Sequence, residues 1–276
     1  GVQADAKTLA VHEWSFSVQQ QLSRNMALRV AYVGSHGYHG LLNIDPNTVP
    51  AQTCTNANGC TAGGTGTART PVAQGARYVP VVPSVIVNGA AAPGRPNPYL
   101  SSAFFWMTEG NSSYNALQVD LTRRFGQGLQ FRTAYTWSKN MDMNSGLTGA
   151  QAQNQAQMVM DRMDLRRDWG PSALNVVHQS SLSATYDMPF GKGKRWAGNA
   201  TGVAGKLISG WQVNGIVTLL SGFPFTPQAG SNRSADANTR NPDRPSLNPA
   251  FTGPVVLGNQ AQWFNPNAFL LPAAGT

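Results

Sequence analysis

The sequence predicts an all-β chain, an antiparallel up-and-down meander of about six long strands with long irregular loops. Three observations predict it. Apolar and polar residues alternate with period two through six segments of roughly ten residues. Two- and three-residue turns alternate with stretches well beyond the ~15 residues that a compact domain tolerates in a loop. Charged residues make up only 12% of the chain, where about 25% is usual, and no helical apolar stripe accompanies them.

The first strand is expected over 12–22, "HEWSFSVQQQL", where Trp14, Phe16, Val18 and Leu22 oppose Glu13, Ser15, Ser17, Gln19 and Gln21. "SRN" turns the chain into a second, 27–36, with Leu28, Val30 and Tyr32 against Arg29, Ala31 and Ser35. The third and fourth, 114–125 and 129–139, form a hairpin about "GQG". Leu117, Val119, Leu121 and Phe125, then Leu129, Phe131, Tyr135 and Trp137, share its apolar side. Gln118, Asp120, Thr122 and Arg124, then Gln130, Arg132, Thr136 and Ser138, share the other. The fifth, 176–188, sets Leu182, Ala184, Tyr186 and Met188 against Ser181, Ser183, Thr185 and Asp187. The sixth, 210–223, sets Trp211, Val213, Val217 and Leu219 against Gln212, Asn214 and Thr218, with Ile216 and Leu220 interrupting the polar side. Long loops are expected over 43–112, 140–175 and 224–276.

Short turns at one end and long loops at the other is the pattern of outer-membrane barrels, and about ten residues suffice for a tilted strand to cross a bilayer. The apolar side then meets lipid and the polar side lines a wet lumen. Trp14, Tyr32, Tyr135, Trp137 and Trp211 stand near strand ends, where membrane-interface aromatics belong. Arg123 and Lys139 lie on the apolar side near strand ends, from which long cations reach headgroups. Alternation alone leaves a water-soluble sandwich open, its apolar side against a second sheet. No run of about 18 apolar residues exists, so no transmembrane helix is expected. "GVQADAKTLA" is no secretory segment, so the expectation is a removed leader or an internal piece of a longer protein.

The net charge of +8 is spread over the chain, with small groups at "TRRF", "DLRRDW" and "GKGKRW". No recognition helix, zinc spacing or RNA-binding signature accompanies them, so nucleic acid is not an expected partner. Phosphates of anionic lipid and lipopolysaccharide supply an equivalent counter-charge. Cys54 and Cys60, in "CTNANGC", are too far apart for a CxxC pair and lack neighbouring ligands. A local disulfide in an oxidising compartment is favoured over two free thiols. His36 and His39, in "GSHGYHG", have no third ligand nearby and read as a strand running into a loop, so no metal is expected. "MDRMDLRRDWG" collects Asp161, Arg162, Asp164, Arg166, Arg167 and Asp168. Alternating signs there suggest a neutralising loop charge network that holds the loop to the barrel wall or lines a solute entrance, rather than an acid/base pair. "QAQNQAQMVMDRM" reads as a short helix packed on that loop rather than a soft-metal site. "FGKGKRW" lacks the spacing of a phosphate loop. With no nucleophile-base signature visible, neither catalytic residues nor a cofactor are expected, and the chain does not read as an enzyme.

"EWSFSVQQQLSRNMALRVAYVGSHGYHGLLNID", "SSYNALQVDLTRRFGQGLQFRTAYTWSKNMD", "HQSSLSATYDMPFGKGKRW", "GWQVNGIVTLLSGFPFT" and "WFNPNAF", taken in order, resemble the C-terminal barrel portion of TonB-dependent receptors. The likeness is greatest to acidobacterial-type proteins with a carboxypeptidase-regulatory-like N-terminal domain, and it covers about residues 12–270. It implies a cell-outer-membrane barrel of about 22 strands around a plug. Such a receptor binds a scarce solute and imports it with force from the TonB complex; the Asn-, Gln- and aromatic-rich loops suit an oligosaccharide, while siderophores and peptides use similar surfaces. The chain departs from that family in showing no plug, no TonB box and no closing aromatic-ended strand. Six strands fall short of the roughly eight a lipid-embedded barrel needs, and two bare edges are costly in hydrocarbon. The expectation is a segment of a longer barrel whose contact with TonB runs through the missing plug. The alternative is a secreted structural or adhesive β-protein that self-associates through its open strand edges.

Overall fold

Six long strands follow one another in chain order across one antiparallel sheet in the computed structural model, which describes residues 1–63, 69–92, 94–126, 128–145, 158–238 and 243–276. They are β1 (Ala10–Ser23), β2 (Met26–Ile44), β3 (Phe105–Gly126), β4 (Leu129–Asp142), β5 (His178–Asp187) and β6 (Gln212–Leu220). β1 and β2 meet at Ser23 opposite Met26, which leaves Arg24 and Asn25 as the turn. In the β3–β4 turn Gly128 has φ +80°, a conformation that favours a residue without Cβ. Residues 188–211 join β5 to β6 and contain one short helix, α1 (Gly202–Ile208), which period-two reading does not reveal.

The register carries the alternation across the whole sheet. Val18, Val30, Val119, Tyr135, Ser180 and Leu219 are successive cross-strand neighbours. Leu28, Leu121, Thr133, Leu182 and Val217 form the next row of the same face. On the opposite face Gln19, Arg29, Asp120, Ala134, Ser181 and Thr218 line up. A slip of one residue in any strand would exchange its two faces, so the pattern itself holds the register. Near the loop end the indole of Trp14 lies over Gly34, and a methyl group at 34 would overlap it.

No second sheet covers the apolar face among the described residues. Phe16 is 70% exposed and Leu219 64%. Leu117 and Val213, which a sandwich would seal, are exposed too. β1 and β6 bury no residue. Burial sits instead in the loops at one end. Leu42, Ile44 and Val159 form one cluster, with Phe105, Met107, Met143 and Leu165 packed against it. Cys54, Ala62 and Val72 form another, beside Tyr78. The sheet is open: β1 and β6 are its edges, with no further strand on their outer sides among the described residues.

The loops differ from expectation. The expected loop 43–112 is shorter, because β2 and β3 continue pairing through Gly40–Gly110, Leu42–Met107 and Ile44–Phe105. Bulges between Gly37 and Leu42 shift the pairing there, so simple alternation stops before the strands do. What remains is not irregular throughout: Gln52–Thr53 pairs with Arg77–Tyr78, Cys60–Ala62 with Thr70–Val72, and Val85–Val87 with Ala90–Ala92. In the expected loop 140–175, β4 runs to Asp142 and Gly170–Pro171 pairs with its end. In 224–276, Ser246–Leu247 pairs with Phe269–Leu270. The helix expected over "QAQNQAQMVMDRM" falls mostly outside the described residues; its last part, from Met158, is turn and bend with Met158 buried. The side chain of Phe125 also lies outside them.

Candidate functional site

Three surfaces carry chemistry, two on the sheet and one among its loops. The first is the apolar face. Trp14, Tyr32, Tyr135, Trp137 and Trp211 are all exposed on it. Tyr32 Oη donates to Asn115 Oδ1 at 2.6 Å, and Tyr135 Oη lies 2.8 Å from His178 Nδ1, which orients both phenols along the face. Trp211 Nε1 donates to the Leu207 carbonyl at 2.7 Å. Trp137 pairs with His178 near the loop end, and Trp211 is bonded to Met188 at the turn end. From His178 to Met188 is about ten residues, or about 34 Å at ~3.4 Å per residue. At a tilt of ~40° that is a band about 26 Å tall, close to the ~25 Å apolar band of membrane barrels. Lys139 lies in the Trp14 row and Arg123 in the Met26–Phe131 row, each a few residues from its strand's end. His36 also faces this side, opposite His12, whose Nε2 is 2.6 Å from Tyr38 Oη. His39, at φ 59°, turns toward the Thr108 carbonyl instead. Among the described residues no three metal-binding side chains gather.

The second surface is the polar face near the short turns. Asp120 sits between two arginines, 3.8 Å from Arg29 Nη1 and 3.7 Å from Arg132 Nη2. Arg24 and Arg124 line the same concavity of about 610 Å³. Toward β6, Thr185 Oγ1 donates to Asn214 Oδ1 at 2.8 Å, and Gln212 Nε2 to Asp187 Oδ1 at 2.8 Å. The face is a ladder of hydrogen-bonding groups, interrupted by Ile216, which is 80% exposed there.

The third surface is a cavity of about 510 Å³ among the loops, within the size range of small-molecule sites. Segments near 48–51, 77–79, 160–167, 234–236, 243–246 and 272–276 wall it. The predicted charge loop contributes one wall, but its partners come from elsewhere. Asp161 pairs with Arg77 and, at 3.9 Å, with Arg167. Asp168 pairs with Arg244 and accepts from Met160 N at 2.9 Å. Among the described residues, Arg167–Asp161 is the one ion pair between two members of the predicted network. Asp164 precedes the 3₁₀ turn Leu165–Asp168 without a side-chain capping bond. Arg166 contributes its carbonyl to Trp169 N. Arg162 Nη1 lies 3.7 Å from Met163 Sδ, and its buried Nε has no partner among the described residues. Burial pushes the Asp168 carboxyl above its ordinary range, against the pull of Arg244.

Across the cavity, burial pushes Asp236 up to about 6, and the neighbouring Asp243 carboxylate adds to the effect. Asp236 accepts from Asn238 N at 2.7 Å, and its carbonyl accepts from Val49 N at 2.8 Å. Behind the cavity Arg95 and Asp45 form a buried pair at 3.6 Å. Arg95 Nη2 also donates to the Ala237 carbonyl at 2.7 Å, and Asp45 Oδ1 accepts from Asn47 N and Ala103 N. Cys54 and Cys60 are disulfide-bonded beside this cap. Sequence reading missed Arg77, Arg95, Asp236, Asp243 and Arg244. "IDPN" marks Asp45 as a turn residue, but nothing local points from it to Arg95.

Residues 1–276 match the model of a family described as an outer membrane beta barrel domain. Comparison with curated proteins and with solved structures gave no match.

Proposed function

Since the chain belongs to the outer membrane beta barrel domain family, we propose that it is a segment of a TonB-dependent receptor of the cell outer membrane. In this reading the loops capture a scarce solute and the plug of the full-length protein moves to admit it, with no catalysis by the chain. The observation that carries it is the cavity of about 510 Å³ built by loop segments distant in sequence, at one end of a sheet with one greasy and one wet face. Its lining mixes arginines and aspartates with the ring of Tyr78. Paired carboxylates and guanidiniums suit the vicinal hydroxyls of an oligosaccharide, which accept and donate at once. A ferric siderophore is the competing solute.

Two measurements on the full-length protein test this. Uptake of labelled oligosaccharide by cells expressing it should vanish when TonB is deleted. Titration calorimetry in detergent should give binding to an oligosaccharide that Arg244→Ala weakens. Uptake indifferent to TonB, or binding of neither oligosaccharides nor ferric siderophores, overturns the reading. The edges of β1 and β6, unpaired among the described residues, favour a second reading, a secreted structural or adhesive β-protein. A folded, water-soluble assembly without detergent or lipid would select it.

A further inference from the structure

The connection between β5 and β6 is built unlike the other two turns. Residues 188–211 carry Lys192, Lys194, Arg195 and Lys206 and no acidic side chain. Lys194 Nζ lies 3.7 Å from Asp187, and the other three cations form no ion pair among the described residues. The segment is tied down rather than loose. Gly191 N donates to the Trp196 carbonyl at 2.9 Å, and Trp196 N to the Pro189 carbonyl at 3.0 Å. Lys192 N donates to Ser209 Oγ at 2.8 Å, and Trp211 Nε1 fastens the end of α1 to the start of β6.

On this fixed platform the apolar side chains point outward. Val203 and Leu207 are four apart in α1, hence on one face of it, and are 74% and 68% exposed. Trp196 and Trp211 are exposed as well, though somewhat less. Trp211 precedes Val213 by two residues, so it continues the apolar face of the sheet into the turn. A greasy helix face, two indoles and four cations, at the border of an apolar band, is the composition of an interfacial anchor.

We propose that residues 190–211 bind the headgroups of anionic phospholipids in the leaflet at the turn end. Trp196, Val203 and Leu207 enter the boundary between headgroup and acyl chain, and Lys192, Arg195 and Lys206 take the phosphates. Lys194 stays with Asp187. This rests on the reading of the sheet's apolar face as lipid-facing. Each cation near an anionic surface contributes about five-fold in partitioning, so the three unpaired ones supply up to roughly 100-fold.

The test uses the full-length protein in nanodiscs that contain a small, equal fraction of either brominated phosphatidylglycerol or brominated phosphatidylcholine. Trp196 emission is isolated by difference from Trp196→Phe, and Trp137 emission by difference from Trp137→Phe. Phosphatidylglycerol should quench Trp196 about three-fold or more beyond phosphatidylcholine, while Trp137 is quenched by both. The preference should fall to about one in Lys192→Gln/Arg195→Gln/Lys206→Gln and survive added inorganic phosphate. Equal quenching of Trp196 by the two lipids, with Trp137 still quenched, overturns the anchor and leaves the membrane reading intact. Displacement by inorganic phosphate also overturns it, in favour of a free-anion site. An unquenched Trp137 sinks both readings.

Discussion

Arginine placed at 182 and at 181 distinguishes the two faces of the sheet in one experiment. Leu182 lies between Thr133 and Val217 on the apolar face, and Ser181 between Ala134 and Thr218 on the polar face. Leu182 is about four residues from His178, or about 14 Å along a band about 34 Å long, hence near its middle. In hydrocarbon an arginine there should cost about 2–4 kcal/mol, whereas one on a wet face is an ordinary surface substitution and should cost about 0.5 kcal/mol or less. Leu182 is 40% exposed, so losing its own contacts contributes about 1 kcal/mol in any solvent. Leu182→Ala measures that share. Urea unfolding of the full-length protein from phosphatidylcholine vesicles, followed by tryptophan fluorescence, gives each difference. Leu182→Arg should exceed Leu182→Ala by about 2 kcal/mol, with Ser181→Arg close to wild type. If the two arginines cost the same once the alanine share is removed, both faces meet water and the lipid-facing argument is refuted.

Arg95→Met leaves Asp45 buried without its counter-charge and should weaken the loop cap by about 3–5 kcal/mol. Faster amide exchange at Asn47 and Ala103 reads the loss, and Arg95→Met/Asp45→Asn should recover much of it. Asp236 has its pKa raised in the fold to about 6, so the folded cap holds a proton that the unfolded chain has released. Its contribution is full below about pH 4 and is lost as pH rises through about 6, a change of about 3 kcal/mol. Protection at Val49 and Asn238, with the intrinsic rise of exchange with pH divided out, should therefore fall over that window, and Asp236→Asn should flatten the profile. The Cys54–Cys60 bond should leave both residues inert to iodoacetamide in the untreated native protein. Cys54→Ser/Cys60→Ser should cost the cap about 2 kcal/mol, read as faster exchange at Gly75 and Ala76.

The middle of each long strand was legible because its two sides face different surroundings, which writes a period of two into the chain. The strand ends were not. In "GYHGLLNI" and "FWMTEG" Leu42, Ile44, Phe105 and Met107 pack into the loop-end cluster, and bulges around Gly40 change the phase. The disulfide was legible because the chain has only two cysteines. The charge loop was recognisable as a loop of charges, yet Asp161 and Asp168 draw Arg77 and Arg244 from 84 and 76 residues away. Local spacing holds no information about such partners. Asp236 sits in a polar stretch with no pattern of its own, and its bond to Val49 brings in a segment nearly 190 residues away.

Trp14 resting on Gly34 has a bearing on how the first hairpin finds its alignment. As an outermost strand, β1 has ladder bonds on one flank only among the described residues, and its run of Gln and Ser tolerates many offsets. An indole needs a vacancy beneath it, and Gly34 provides the notch. Sliding the hairpin by one full pleat would put Tyr32 or His36 under that ring, where neither fits. The pair thus works as a detent, holding the strand at one setting.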